Sequence, residues 1–447
     1  KGWGTPLAGH KDNHAGLMTK AQMNSFKLKY GISDGNEWNR FSDEKNNVEL
    51  DKYIKNLPFQ KAKHRKFQSK KVSIDENVFI KETKISTQNA FGKILDQYAK
   101  NNTDFSRRIL TTSPDVSVST NLGPWINRKG LFSRKDSSDT FKDRKIPSAQ
   151  KWIFSSKGQH IELGIAEMNL FLMLGAAGLS HEFFGERLFP IGTVYDPFIS
   201  RGLDAMNYAC YQDARFMIVG TPSGISLAPE GGAHQSIGTP LIGISQPGLL
   251  SFEPAFADEL ALIMNYGFNY LQDEAGGSIY LRLTTRSIDQ PMREIDKELK
   301  NNIIRGGYWL KKPGSNPEVI IVYQGAVASE AIESTALLGE KFKDSGVLSI
   351  TSSDNLFHNW KNQTLSFKNK TTQSHIEKLL EFIPRDTRII TVVDGHPMTL
   401  SWIGSVYGHK TIPLGVDSFG QTGNIKDLFT EFRIDTSNIC NLGFNYS

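Results

Sequence analysis

His160-Ile-Glu-Leu-Gly-Ile-Ala-Glu167-Met-Asn-Leu-Phe-Leu-Met-Leu174 is the stretch on which the reading of this chain turns. Past Gly164 it reads as a buried helix, apolar on nearly every side, with one carboxylate, Glu167, set one turn in. A charge at such a place is costly unless a partner or a proton neutralises it. A pairing arginine, a subunit interface and a chemical role would each meet that requirement. The longer apolar run from Leu163 to Leu179 is broken by Glu167 and Asn169 and holds Gly164, Gly175 and Gly178. That makes it a core helix and not a membrane span.

Outward from it, short β-rich runs alternate with helical ones. Arg108-Ile-Leu-Thr-Thr-Ser-Pro-Asp115 precedes the helix, while Arg215-Phe-Met-Ile-Val-Gly220 and Ser278-Ile-Tyr-Leu-Arg-Leu283 follow it. Continuous runs of this kind suit strands covered on both faces. Three- and four-residue apolar steps predict a helix over Asn89–Ala99, and further helical runs lie at Pro197–Gln212 and Phe256–Gln272. The alternation predicts an α/β fold with a doubly wound, mostly parallel sheet. Past Gly306 a smaller α/β unit is expected, with strands at Glu318–Tyr323, near Val347 and at Arg388–Val393, a helix at Ala328–Phe342 and a last helix near Met398. Ahead of all this, Lys20–Lys81 reads as a helix or two and then a charged linker over the surface.

Composition sets the outer bounds. At 447 residues, 22% charged and 38% hydrophobic, the chain is globular and large enough for two or three domains. A net charge of +5 is mild and predicts no nucleic-acid role, and the basic run Lys61–Lys71 reads as a solvated linker. Cys210 and Cys440 lie far apart without metal-type spacing, which fits a reducing, cytoplasmic setting and no disulfide. His10, Asp12 and His14 share a loop but lack a further acidic partner, so no metal site is assigned. The chain opens at Lys1-Gly-Trp-Gly without an initiator methionine, as though cut from something longer.

Two more segments carry chemistry. Tyr195, Phe198 and Arg201 recur every three residues and would share a face if the chain turns helical after Pro197; a core aromatic stripe satisfies the same pattern. Ala228-Pro-Glu230-Gly-Gly-Ala-His234-Gln-Ser follows a strand and a Gly-rich turn, and it lacks the Gly-Lys-Ser/Thr ending of a P-loop.

Taken in order, Gly-Ile-Ala-Glu167, Tyr195-x-x-Phe198-x-x-Arg201 and Glu230-Gly-Gly-Ala-His234-Gln resemble the pyrimidine-binding domain of the transketolase superfamily of thiamine diphosphate enzymes. The loop Gly9–His14, the Cys210–Arg215 run and Asp417-Ser-Phe-Gly-Gln421 are most similar to the homodimeric decarboxylating component of the pyruvate dehydrogenase complex. The resemblance covers nearly the whole chain. It implies that residues 1–84 are the tail of a diphosphate-binding domain with a linker, residues 85–298 the pyrimidine-binding domain, and residues 299–447 the transketolase-like C-terminal domain.

It also implies roles. Glu167 would exchange a proton with the cofactor's pyrimidine, Phe198 would stack on that ring, Tyr195 would close its edge, and Arg201 would bind cofactor or form a structural ion pair. His234, and His14 from the loop, would face the substrate and act on its carbonyl, beside Glu230. Transketolases commonly carry an aspartate where Glu230 stands. The Gly-Asp-Gly signature that holds Mg²⁺ and the diphosphate is absent, so those ligands are expected in a missing N-terminal half, of the same longer chain in the first instance or else of a second polypeptide, without which the chain should not turn over. The implied activity is decarboxylation of a 2-oxoacid, pyruvate in the first instance, with acyl transfer to a lipoyl group. Implied partners are a second copy of the chain, a lipoyl acyltransferase and a small-molecule substrate, with neither nucleic acid nor membrane. The alternatives are a transketolase moving a two-carbon unit between sugar phosphates, and a non-catalytic subunit with the same fold.

Overall fold

The computed structural model describes the chain apart from residues 1, 6, 12–15, 41–44, 58–59, 61–68, 77, 136–142, 146, 148–149, 367–372 and 446–447. The chain divides into two compact units, Lys1–Arg65 and Lys66–Ser447. In the first, helices form at Lys20–Lys29 and Asn47–Asn56. The earlier one begins at a capping box, in which Gln22 N–H donates to the Thr19 hydroxyl and Thr19 N–H donates to the Gln22 side chain. Neither helix buries a residue; the first has its capping box and the second an i,i+4 pair of Asp51 with Lys55.

The second unit holds two large sheets and a two-stranded antiparallel pairing of Lys84–Ile85 with Ile288–Asp289. The larger has eight strands, all parallel: Ile109–Ser113 (β1), Leu131–Phe132 (β2), Phe154–Ser155 (β3), His160–Glu162 (β4), Phe189–Val194 (β5), Met217–Gly220 (β6), Leu249–Phe252 (β7) and Ser278–Arg282 (β8). Their spatial order is β3-β2-β4-β1-β5-β6-β8-β7. Successive residues of β6 serve opposite faces, as a pleat requires: Met217 and Val219 join one core, Ile218 the other. The first core takes Phe91, Ile94 and Tyr98 from the Thr87–Asn101 helix and Leu260, Ile263 and Met264 from the Ala257–Tyr270 helix. Leu170, Phe171 and Leu174 of the Glu167–Gly178 helix cover the second, against Met206. With both faces covered, β5, β6 and β8 are buried along their length.

The smaller sheet consists of Gly307–Lys311 (β9), Val319–Gln324 (β10), Gly346–Ile350 (β11), Arg388–Val393 (β12) and Thr411–Leu414 (β13). Its order is β9-β11-β10-β12-β13, parallel except for the antiparallel pairing of β9 with β11. The fold is therefore α/β, a doubly wound parallel sheet followed by a smaller α/β domain. In the larger sheet the chain order reverses between β1 and β5. Crevices at the carboxyl ends of strands around such a switch are where open α/β sheets bind ligands.

Five local expectations need correction. The helix after Gly164 starts at Glu167 itself, not a turn earlier, because Gly164 (φ +68°) and Ala166 (φ −154°, ψ 73°) lie outside the helical region. Nor is it buried all round: Ile165, Met168 and Leu172 are 79%, 42% and 57% exposed. The helical run at Pro197–Gln212 is a 3₁₀ turn over Asp196–Gly202 and then a helix over Leu203–Tyr211. Gly202 is where the two meet, and a Cβ there would fall 2.1 Å from the Phe171 ring. The linker does more than cover the surface, since Val72, Ile74 and Val78 enter the core and Val72 exchanges two hydrogen bonds with the buried Gln272 amide. Finally, Met398 does not mark the last helix, because Ile425–Glu431 and Thr436–Asn445 follow it.

Candidate active site

Three strand ends supply the walls of one site. Beyond β4 the chain turns through Gly164 and presents Glu167 at the first residue of its helix, with 11% of the side chain exposed. Beyond β5, Tyr195 leads into the 3₁₀ turn, where Pro197 sits in the first positions and Phe198 N–H donates to Tyr195 C=O at 2.8 Å. Beyond β6, the loop to the Thr239–Ser245 helix carries Glu230 and His234.

These side chains converge. The rings of Tyr195 and Phe198 stack with centroids 5.8 Å apart and planes at 14°. His234 meets the Phe198 ring edge-on at 5.4 Å, and its buried Nδ1 has no hydrogen-bond partner among the described residues. The Arg201 guanidinium lies 3.8 Å over the Phe198 centroid, and its Nη1 donates to Glu167 Oε1 in a short ion pair. Glu230 is exposed at the loop's rim. His14, with Asp12, lies outside the described residues. Of the predicted set, the structure thus brings Glu167, Tyr195, Phe198, Arg201 and His234 together, with the Arg201 guanidinium filling the slot between the Phe198 ring and the Glu167 carboxylate.

A buried polar network that sequence reasoning missed stands behind the slot. Arg282, at the end of β8, sends Nε to Asp196 Oδ2 (3.0 Å), Nη2 to the Ser236 hydroxyl (3.1 Å) and Nη1 to Glu253 Oε1. Asp196 also accepts from Thr239 Oγ1 at 2.6 Å and from the Tyr280 hydroxyl. One guanidinium thereby fixes the turn bearing Phe198, through Asp196, and the loop bearing His234, through Ser236. Glu253 extends the network to the second sheet by accepting from Gln324 Nε2 at 2.9 Å. Burial pushes the Glu253 carboxyl up to about 7 against the pull of Arg282, and burial likewise raises Asp394. Asp394 accepts Ile225 N–H at 3.0 Å, tying the start of the same loop to the end of β12. The available sequence signal was Arg282 itself, a cation between Leu281 and Leu283 in an otherwise apolar strand.

The C-terminal domain closes the loop from outside. Gln235 Nε2 donates to Gln421 C=O at 2.7 Å, and a Cβ on Gly232 would fall 1.9 Å from the Gly420 oxygen. Glycine is what lets these two backbones meet. Among the described residues, no three His, Cys, Asp or Glu side chains form a group that could hold a metal, and no helix is long and apolar enough to cross a membrane. Cys210 and Cys440 are both buried and form no disulfide.

Comparison with known proteins matches both halves of the larger unit. Residues 69–291 match the pyruvate dehydrogenase E1 component middle domain, and residues 306–435 match the transketolase-like C-terminal domain. The pyruvate dehydrogenase E1 component of Buchnera aphidicola is 25% identical over 364 residues, which is 79% of this chain and 40% of that protein. Transketolase 2 of Aliivibrio fischeri is 24% identical over 284 residues, 64% of this chain and 39% of its own. The chain thus spans well under half the length of these curated relatives. Among solved structures, transketolase from Campylobacter jejuni has the same fold over 95% of this chain and 55% of its own, at 19% identity and a TM-score of 0.60. A split-gene transketolase, described as an inactive β4 tetramer, matches over 80% of this chain and 97% of its own at 18% identity and a TM-score of 0.53. With both of its domains accounted for in this way, the chain belongs to the transketolase superfamily of thiamine diphosphate enzymes.

Proposed function

We propose that this chain supplies the pyrimidine-binding domain (residues 85–298) and the C-terminal domain (residues 299–447) of a thiamine diphosphate-dependent 2-oxoacid dehydrogenase component. One observation carries the reading: Glu167 faces a slot walled by Phe198, with His234 at its edge. A flat ring with hydrogen-bonding nitrogens fits such a slot. A flat guanidinium already lies there, stacked at 3.8 Å and bonded to the acid. When bound, thiamine diphosphate supplies a carbon nucleophile and a sink for the electron pair released by decarboxylation.

The chain's own residues do the rest. Glu167 would hold and return a proton at a nitrogen of the pyrimidine. Phe198 and Tyr195 orient the ring, a contact worth about 0.5–1.5 kcal/mol beyond burial. His234, at the edge of the Phe198 ring, would donate to the substrate carbonyl, and Glu230 would line the approach. The diphosphate and Mg²⁺ are assigned to the diphosphate-binding half that this chain does not span. The exposed Ile165, Met168 and Leu172 beside Glu167 support a homodimer with the site at its interface. A lipoyl acyltransferase takes the acyl group, and the unpaired cysteines suit the cytoplasm.

The match to the pyruvate dehydrogenase middle domain favours pyruvate. The transketolase-like C-terminal domain and the Aliivibrio relative favour a second reading, ketol transfer between sugar phosphates. The split-gene transketolase, described as an inactive tetramer, supports the view that this chain needs a complementary half. The test is turnover by the chain joined to its diphosphate-binding half, with pyruvate and an artificial electron acceptor against xylulose phosphate plus ribose phosphate. Reaction with the sugars alone would replace the first reading by the second.

A further inference from the structure

Arg201 is held by the same two groups that the proposed cofactor ring would use. Its guanidinium lies on the Phe198 ring and its Nη1 bonds to Glu167 Oε1. Among the described residues it makes no other ion pair or hydrogen bond. More than half of the side chain, 53%, is in solvent, against 11% for Glu167. A guanidinium is flat, cationic and rich in N–H donors, and it stacks on arenes while bonding to carboxylates. Those are the two contacts assigned to the pyrimidine. The carboxylate and the arene belong to different strand ends, yet the arginine reaches both from within the 3₁₀ turn that also carries Phe198. With half of its surface in solvent and its Cα on that turn, the side chain can swing into water without disturbing the core.

We propose that Arg201 is a built-in occupant of the pyrimidine slot, which the incoming ring must displace, so that the arginine sets the threshold for cofactor entry. This role rests on the slot reading above and revises the expected part of Arg201 from cofactor ligand to competitor. The occupied slot satisfies Glu167 while the site is empty, and the carboxylate changes partners when the ring arrives.

The test uses the chain as it is, with thiamine as probe, because thiamine carries the pyrimidine without the diphosphate or any need for metal. Binding is measured by calorimetric titration for the wild type, Arg201→Ala, Arg201→Lys and Phe198→Ala. Loss of a half-exposed ion pair and a stacked cation should make Arg201→Ala bind about ten-fold more tightly than wild type. Arg201→Lys, which keeps the charge but not the flat fork, should fall between them. Added salt screens the Arg201–Glu167 pair, so wild-type affinity should rise with ionic strength relative to Arg201→Ala. Equal or weaker binding by Arg201→Ala, with Phe198→Ala still impaired, overturns the competitor role and leaves the slot reading standing. Failure of both wild type and Arg201→Ala to bind thiamine overturns the slot reading itself, and the competitor role with it.

Discussion

Replacing Glu253 by glutamine should change how the stability of this chain depends on pH. The carboxyl sits just after β7, buried, where Arg282 Nη1 and Gln324 Nε2 donate to it. Burial outweighs both donors, and nearby Asp394 and Asp196 add repulsion, so its pKa rises from 4.5 to about 7. The sign follows from where the protons are. Between these two values the folded chain keeps a proton that the unfolded chain has lost, so stability is greatest below the unfolded value and declines as pH rises toward the folded one. From about pH 5 to about pH 8 this group alone should cost the wild type about 2.5 kcal/mol, since each tenfold change in proton affinity is worth about 1.4 kcal/mol. Glutamine keeps the shape and the acceptor for Arg282 but never ionises. Its amide can also donate to Gln324 Oε1, a buried acceptor that has no partner among the described residues of the wild type. Urea unfolding followed by tryptophan fluorescence at both pH values, for both proteins, gives the difference directly. If Glu253→Gln and wild type lose stability in parallel across that interval, the carboxyl does not titrate there and the assigned network is wrong.

Other consequences can be checked alongside. In the enzyme joined to its diphosphate-binding half, Glu167→Gln should lower turnover by about 10²–10⁴-fold while thiamine binding to the isolated chain persists; undiminished turnover would remove Glu167 from the chemistry. Phe198→Ala should weaken thiamine binding roughly ten-fold through lost stacking and burial, as read in the same calorimetric titration. Gly232→Ala would drive a methyl to 1.9 Å from the Gly420 oxygen and should lower stability by about 1–3 kcal/mol in a thermal melt. Arg282→Met leaves Asp196 and Glu253 buried without their cation, which should cost about 3–5 kcal/mol in urea unfolding; Asp196→Asn, which keeps an acceptor for Arg282, should cost less, and a reversal of that order would argue against Arg282 as the anchor.

The central strands Met217–Gly220, Ser278–Arg282, Val319–Gln324 and Arg388–Val393 were legible because a strand buried on both faces is written as an unbroken run of branched and aromatic residues, whereas short, part-exposed strands such as Leu131–Phe132 and Thr411–Leu414 carry no such run. Glu167 stood out for the related reason that a lone carboxylate in such a run needs an explanation. What could not be read was who its neighbour would be. Arg201 lies 34 residues away, and no periodicity joins a helix start to a turn beyond another strand. Asp196 was hidden by the more conspicuous Tyr195 and Phe198, although the aspartate holds the turn in place. The early start expected for the Glu167 helix shows the limit of composition at element ends, where one glycine at positive φ outranks apolar pattern. The notion of a charged linker failed at Val72, Ile74 and Val78, three apolar residues spaced by two and four in a polar stretch, enough to anchor it.

The Glu167–Gly178 helix begins with an acid and leaves Met168 and Leu172 in water, with Ile165 just ahead. Any surface that dries those three side chains must come to rest within a turn or two of the carboxylate and strip water from around it as well. Recruitment and activation would then be one transition: the same docking that hides the grease also changes the medium in which the acid holds its proton.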